Sequence, residues 1–125
     1  MKQEKIFIIE DDQTISQMYR LKFENENFDV QWASNGRDGV ELVREFLPDI
    51  ILLDLQMPEM NGTEALKVIR SNDWGKDVPV IILTNTGLEE SPDDLKKLNV
   101  SSYIVKADLT PSQVVARIKE TLDKK

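Results

Sequence analysis

An α/β fold on a parallel sheet is predicted for this chain of 125 residues by three observations. Apolar runs of strand length alternate with stretches in which apolar residues recur at helical spacing, the pattern of repeated βα units. The clearest runs, Ile6-Phe7-Ile8-Ile9 and Ile50-Ile51-Leu52-Leu53, do not alternate with polar residues, which suits strands covered on both faces. Residues able to do chemistry stand where the runs end, at the rim where open α/β sheets place their sites.

Strands are expected near residues 5–9, 29–33, 50–54, 78–83 and 102–106. The first ends in Glu10-Asp11-Asp12, the third on Asp54, the fourth on Thr84 and the fifth on Lys106. Between them lie apolar stripes for packing on the sheet: Ile15, Met18, Tyr19 and Phe23; Val40, Val43 and Leu47; Leu66 and Ile69; Val114, Ile118 and Leu122. Start signals support the division. Asn61, Ser91 and Thr110 stand at N-cap positions, followed by Gly62, Pro92 and Pro111, and Thr110 with Gln113 fits a capping box. The fourth helix, near residues 92–98, is expected to be short, with Asn99 taking a left-handed C-terminal conformation. Tyr103 and the two Trp residues read most simply as core or packing aromatics.

Composition narrows the function classes. Hydrophobic residues at 40% and charged residues at 31% are ordinary for a globular protein, and no apolar run approaches a membrane span. A net charge of -7 argues against a general nucleic-acid binder, whose affinity comes from clustered Lys and Arg. With no cysteine there is no disulfide, thiol catalysis or Cys-ligated zinc, and with no histidine there is no Ser-His-Asp triad or His-based acid-base catalysis. Any phosphohistidine must belong to another protein. No secretory signal is visible, so the cytoplasm is the expected location, and one domain spanning residues 1–125, with none following, is expected.

Glu10, Asp11 and Asp54 offer the hard oxygen ligands that Mg²⁺ prefers. With the metal and Lys106 relieving their mutual repulsion, Asp54 can attack a phosphoryl donor as a carboxylate nucleophile, and Thr84 can donate its hydroxyl to a phosphoryl oxygen. The added charge then biases nearby loops, which describes a switch more than a turnover enzyme. Each residue has an ordinary alternative: acids favoured at a helix N-terminus, a loop cap, a β-branched strand residue, a solvated lysine. What separates the readings is that four chemically matched groups end four separate strands.

The acidic pair after KIFII, the block IILLDLQMPEMNG, VIILT and SSYIVK, in this order and spacing, resemble the receiver domain of two-component response regulators, of the single-domain, CheY-like kind, over essentially the whole chain. The resemblance implies a flavodoxin-like (βα)5 three-layer sandwich with sheet order 2-1-3-4-5 and a crevice between the first and third strands. It implies that Asp54 is the phosphoacceptor, that Glu10, Asp11, Asp54 and the backbone carbonyl of Gln56 hold Mg²⁺ (or Mn²⁺), that Thr84 and Lys106 contact the phosphoryl group, and that Tyr103 follows Thr84 on activation. The implied donor is a histidine kinase or histidine phosphotransfer protein. The implied output is through the face of the fourth helix, fifth strand and fifth helix, toward a downstream protein or a second copy. At most weak self-phosphorylation and autodephosphorylation would accompany this role.

Three departures stand out. Ala107 follows Lys106 where the family usually has a cis-linked proline, so a trans bond is expected, since a cis bond before another residue costs about 2.5–4 kcal/mol. Asn85 replaces a small residue, and residues 87–92 suggest a longer loop before a short helix. Gln56 and Thr86 flank the phosphoryl position and would tune its hydrolysis. The rival readings are a haloacid-dehalogenase-like phosphatase, which needs an acid where Gln56 stands, a flavodoxin or dinucleotide domain, which lacks its glycine motif here, and a pseudo-receiver, against which the intact acid, Thr and Lys set argues.

Overall fold

Strands with no polar face must be covered on both sides, and the computed structural model shows how this chain covers them; it describes residues 3–55, 60–84, 98–106 and 109–123. In chain order the elements are β1 (Lys5–Ile9), α1 (Gln13–Asn25), β2 (Asp29–Ala33), α2 (Gly36–Phe46), β3 (Ile50–Asp54), α3 (Gly62–Arg70), β4 (Val80–Thr84), β5 (Ser102–Val105) and a C-terminal helix (Pro111–Asp123). The strands form one parallel sheet in the order β2-β1-β3-β4-β5, the flavodoxin-like order. The register aligns the strand ends: Ile9 faces Leu53, Asp54 faces Leu83, and Thr84 faces Val105.

Side-chain alternation divides the core in two. Ile6, Ile8, Leu52, Leu83 and Ile104 pack with Tyr19 and Phe23 of α1 and with Val114 and Ile118 of the C-terminal helix. Phe7, Ile9, Leu53 and Ile82 pack on the other face with Val43 of α2 and Leu66 and Ile69 of α3. The result is a three-layer sandwich. Among the described residues, no helix is long and apolar enough to cross a membrane.

The helix starts follow their caps. Asp12 Oδ1 accepts from Ile15 N at 3.0 Å, and Asn35 Oδ1 accepts from Asp38 N at 2.8 Å. Asn61 and Glu64 form a reciprocal capping box, as do Thr110 and Gln113. Asn99 has φ 57°, the left-handed conformation expected of it. Ser91 and the body of the fourth predicted helix lie outside the described residues.

Several expectations are corrected. Met18 is exposed because the inner face of α1 runs through Ser16, Tyr19 and Phe23, and Met18 falls outside that arc. Leu47 caps α2 in a left-handed conformation, its N–H donating to Val43 O, and its side chain is exposed. Trp32 is on an edge strand and 42% exposed, with the Arg20 guanidinium 4.0 Å from its ring centroid, so it is not a core aromatic. The fourth strand starts at Val80 instead of 78: Pro79 has no N–H to donate, and the Val78 carbonyl is taken by Arg70.

Two contacts hold the sheet's loops in place. The half-buried Arg70 guanidinium donates to Leu98 O at 2.7 Å, Gly75 O and Val78 O at 2.8 Å, and Asn99 O at 3.2 Å. It thereby ties the end of α3 to the segments entering β4 and β5. Burial lowers its pKa and the Asp77 charge opposes that shift. At the other end of α3, Gly62 N donates to Leu55 O at 2.9 Å, and a Cβ on Gly62 would lie 2.7 Å from Leu55 Cα and collide with the Asp54 carbonyl oxygen.

Arg70→Lys should lower stability by about 2–4 kcal/mol, because a point ammonium cannot reproduce the planar fork and leaves buried carbonyls unpaired. Urea unfolding measures this, and a loss below about 0.5 kcal/mol would show that water replaces the guanidinium. Gly62→Ala should cost about 1–3 kcal/mol by pushing backbone against backbone, and amide shifts of Asp54 and Leu55 should move with it.

Candidate functional site

The same alternation that separates the two core layers decides which strand-end side chains meet. Glu10 follows Ile8 in parity, Asp54 follows Leu52, and Lys106 follows Ile104, so all three project toward the layer of α1 and the C-terminal helix. Thr84 follows Ile82, and Tyr103 packs with the opposite layer, so these two share the other face, Tyr103 level with Ile82, two residues back from Thr84. Sequence reasoning put the four strand ends on one rim; the parity adds that Glu10, Asp54 and Lys106 point to one face and Thr84 to the other, the face of Tyr103.

Glu10 is 1% exposed and Asp54 2% exposed, which is rare for carboxylates without a partner. The Lys106 ammonium supplies one, at 2.8 Å from Glu10 Oε2 and 3.4 Å from Asp54 Oδ2. Burial works to lower the Lys106 pKa, but the close approach of Glu10 and the charges of Asp54 and Glu10 outweigh it, and the net shift is upward. The lysine therefore stays charged at neutral pH. Glu10 Oε1 accepts from Asp12 N at 3.1 Å, whereas the buried Oε2, without a hydrogen bond of regular geometry, is engaged by the Lys106 ammonium at 2.8 Å.

The three acids after β1 have different roles. Asp12 caps α1, Glu10 turns inward, and Asp11 is exposed in the turn between them. Glu10, Asp11 and Asp54 each bring a carboxylate oxygen within 4.8 Å of the others. An all-carboxylate set of this spacing suits a hard divalent cation, and the incompletely satisfied Glu10 Oε2 fits the same reading. Thr84 is 7% exposed at the end of β4, next to Val105 in the register and one residue from the strand position that faces Asp54. Burial raises the pKa of the half-buried Tyr103 phenol.

One neighbour was not singled out in the sequence. Tyr19 reads there only as part of the α1 stripe, yet its pKa is raised by burial first and then by the Glu10 charge, with Lys106 opposing, so its phenol lies within the field of the site. A hydroxyl-bearing residue in an otherwise apolar stripe was the available signal. Gln56, Asn85, Thr86 and Ala107 lie outside the described residues, as do the metal-ligand carbonyl and the peptide geometry expected there.

Residues 6–119 match the response regulator receiver domain family. The transcriptional regulatory protein SrrA of Staphylococcus aureus is 35% identical over 118 residues, covering 94% of this chain and 47% of SrrA, so the chain spans about half the length of that curated relative. Among solved structures, a CheY-like receiver domain protein from Methanospirillum hungatei superposes with TM-score 0.88 at 26% identity, covering 98% of this chain and 96% of that one. The receiver domain of a sensor histidine kinase from Pseudomonas aeruginosa, solved with a magnesium ion coordinated in its active-site cleft, superposes with TM-score 0.87 at 20% identity, covering 98% of this chain and 99% of that one. With its sheet order, its strand-end acids and lysine, and this match across most of its length, the chain belongs to the response regulator receiver domains of two-component systems.

Proposed function

We propose that residues 1–125 form one phosphorylation-driven switch in which Asp54 accepts a phosphoryl group from the phosphohistidine of a histidine kinase or histidine phosphotransfer protein. The observation that carries this reading is the meeting of Glu10, Asp11 and Asp54 oxygens within 4.8 Å, with the Lys106 ammonium 3.4 Å from the proposed nucleophile. Receiver domains as a class are phosphoacceptors, not turnover enzymes, and a chain without histidine must take its phosphoryl group from outside.

In the proposed transfer an Asp54 oxygen attacks phosphorus, the P–N bond of the donor breaks, and its electron pair returns to the imidazole, leaving an aspartyl phosphate on this chain. Glu10, Asp11 and Asp54, with the Gln56 carbonyl, would hold Mg²⁺ (or Mn²⁺), which supplies neutralisation of the charge on the transferring group. Lys106 holds a second positive charge beside the acceptor. Thr84 would receive the new phosphoryl group by hydrogen bond, and Tyr103, on the same face, would repack as Thr84 moves. Output would then pass through the face of β5 and the C-terminal helix, with the fourth helix expected from the family resemblance, to a downstream protein or a second copy, in the cytoplasm, at most weak self-phosphorylation and hydrolysis accompanying it.

Incubation with acetyl phosphate and Mg²⁺ should add a phosphoryl group to wild type, by intact mass, and none to Asp54→Asn or to an EDTA control; labelling that survives the Asn substitution would reject the acceptor. Lys106→Met should slow labelling by roughly 10²-fold. In EDTA the same variant should also unfold more easily, by up to about 3 kcal/mol, because it removes the ammonium that Glu10 and Asp54 share. Added Mg²⁺ should restore more of its thermal stability than it adds to wild type. Equal Mg²⁺ effects on the two proteins would mean that metal and ammonium do not serve the same carboxylates.

A further inference from the structure

The open edge of the sheet beside β2 is built differently from the rest of the surface. Asp29 N donates to Glu4 O and Ala33 O accepts from Glu10 N, so in a parallel ladder the alternate residues Val30 and Trp32 turn their backbone groups outward. Beside this edge run two cavities of about 390 and 210 Å³ that share Leu42 of α2. Their apolar walls include Trp32, 42% exposed, Leu42, 40% exposed, and Phe46. Arg20 stacked at 4.0 Å covers one face of the Trp32 ring and stiffens it.

Charge says what such a groove accepts. Asp38, Glu41 and Glu45 line it, and neither cavity is lined by Lys or Arg. The helical period places Arg37 and Arg44 of α2 on the opposite flank from Leu42. Glu41 is partly neutralised by Arg44 at 2.9 Å, and the Lys5 ammonium, 5.0 Å from the Phe46 ring centroid, donates to Phe46 O. Asp38 and Glu45 keep the groove acidic.

We propose that the β2–α2 edge is a docking site for an extended segment of a partner protein in which Lys or Arg alternates with apolar residues. Such a segment adds a strand beside β2 through the outward groups of Val30 and Trp32. Because successive side chains of a strand point to opposite faces, its cations lie on the α2 side, where their stems cross Leu42 and their charged ends meet Asp38 and Glu45, and its apolar side chains lie beside Trp32 on the α1 side. The net charge of -7 works against a second copy of the chain as occupant. This surface is separate from the strand-end acids and does not depend on their phosphorylation.

The probe is the peptide acetyl-Lys-Val-Lys-Val-Lys-Val-Lys-amide, with the corresponding Glu-Val peptide as control, titrated into the ¹⁵N-labelled chain. The basic peptide should shift the amides of Val30, Trp32 and Leu42, and the acidic one should not. Glu41→Lys/Glu45→Lys, both at exposed positions, should weaken binding at least tenfold, and Leu42→Ala several-fold. Binding unchanged by the charge reversal, shifts confined to Glu10, Asp11 and Asp54, no binding of the basic peptide, or sedimentation showing a second copy on this edge would each overturn the proposal.

Discussion

Two buried carboxylates that share the Lys106 ammonium are the constraint around which this molecule is organised. Removing Glu10 and Asp54 from water costs several kcal/mol for each ion, and at contact distance Lys106 returns roughly 5 kcal/mol to each at an effective dielectric of about 20. The two terms nearly cancel, so the cluster is held in place without being deeply stable. Under the proposed function, a site that takes up a cation and a phosphoryl group and later releases them is served by that near-balance.

The rest of the fold serves to bring these charges together. β1, β3 and β5 contribute one charged end each, and only the parallel arrangement sends all three ends to the same rim. Burial of the strand interiors fixes the register, since a slip of one residue would exchange the two core layers and turn Asp54 away from Lys106. Around the rim, the backbone is fixed by close contacts: Asp12 caps α1 directly after Glu10, and Gly62 starts α3 against the backbone of Asp54 and Leu55. The opposite face carries Thr84 and Tyr103, so a change at the proposed acceptor, Asp54, can pass through the rim into the other layer. At the far end of the sheet Arg70 ties the segments that enter β4 and β5, which keeps the outer strands aligned with the inner ones.

Much of this was legible in the order of residues because its causes are local. Apolar runs marked β1, β3, β4 and β5 to within two residues, and capping chemistry marked helix starts at Asn61 and Thr110. Strand-end residues Glu10, Asp54, Thr84 and Lys106 were legible as a set, since a strand that surfaces at the rim carries its next side chain there. Other features were not. Arg70 reads as a surface cation on an amphipathic helix, and its carbonyl partners up to 29 residues away appear only when the loops are folded against it. Met18 and Leu47 match helical spacing in the sequence yet face solvent, because an apolar period does not say where the stripe's edge falls or how the helix ends.

By itself, then, the sequence determined which of the described segments are strands and helices, which residues end each strand, and the family to which their order corresponds, all of which follow from spacing and side-chain chemistry along the chain. Tertiary structure alone decided that Glu10 is the closer partner of Lys106, that Thr84 and Tyr103 occupy the opposite face, and that Trp32 stands on an open edge with Arg20 over its ring. Those outcomes depend on distances between residues remote in the chain and on which strand lies outermost. Neither quantity is carried by local composition; both are set when the layers close on the sheet.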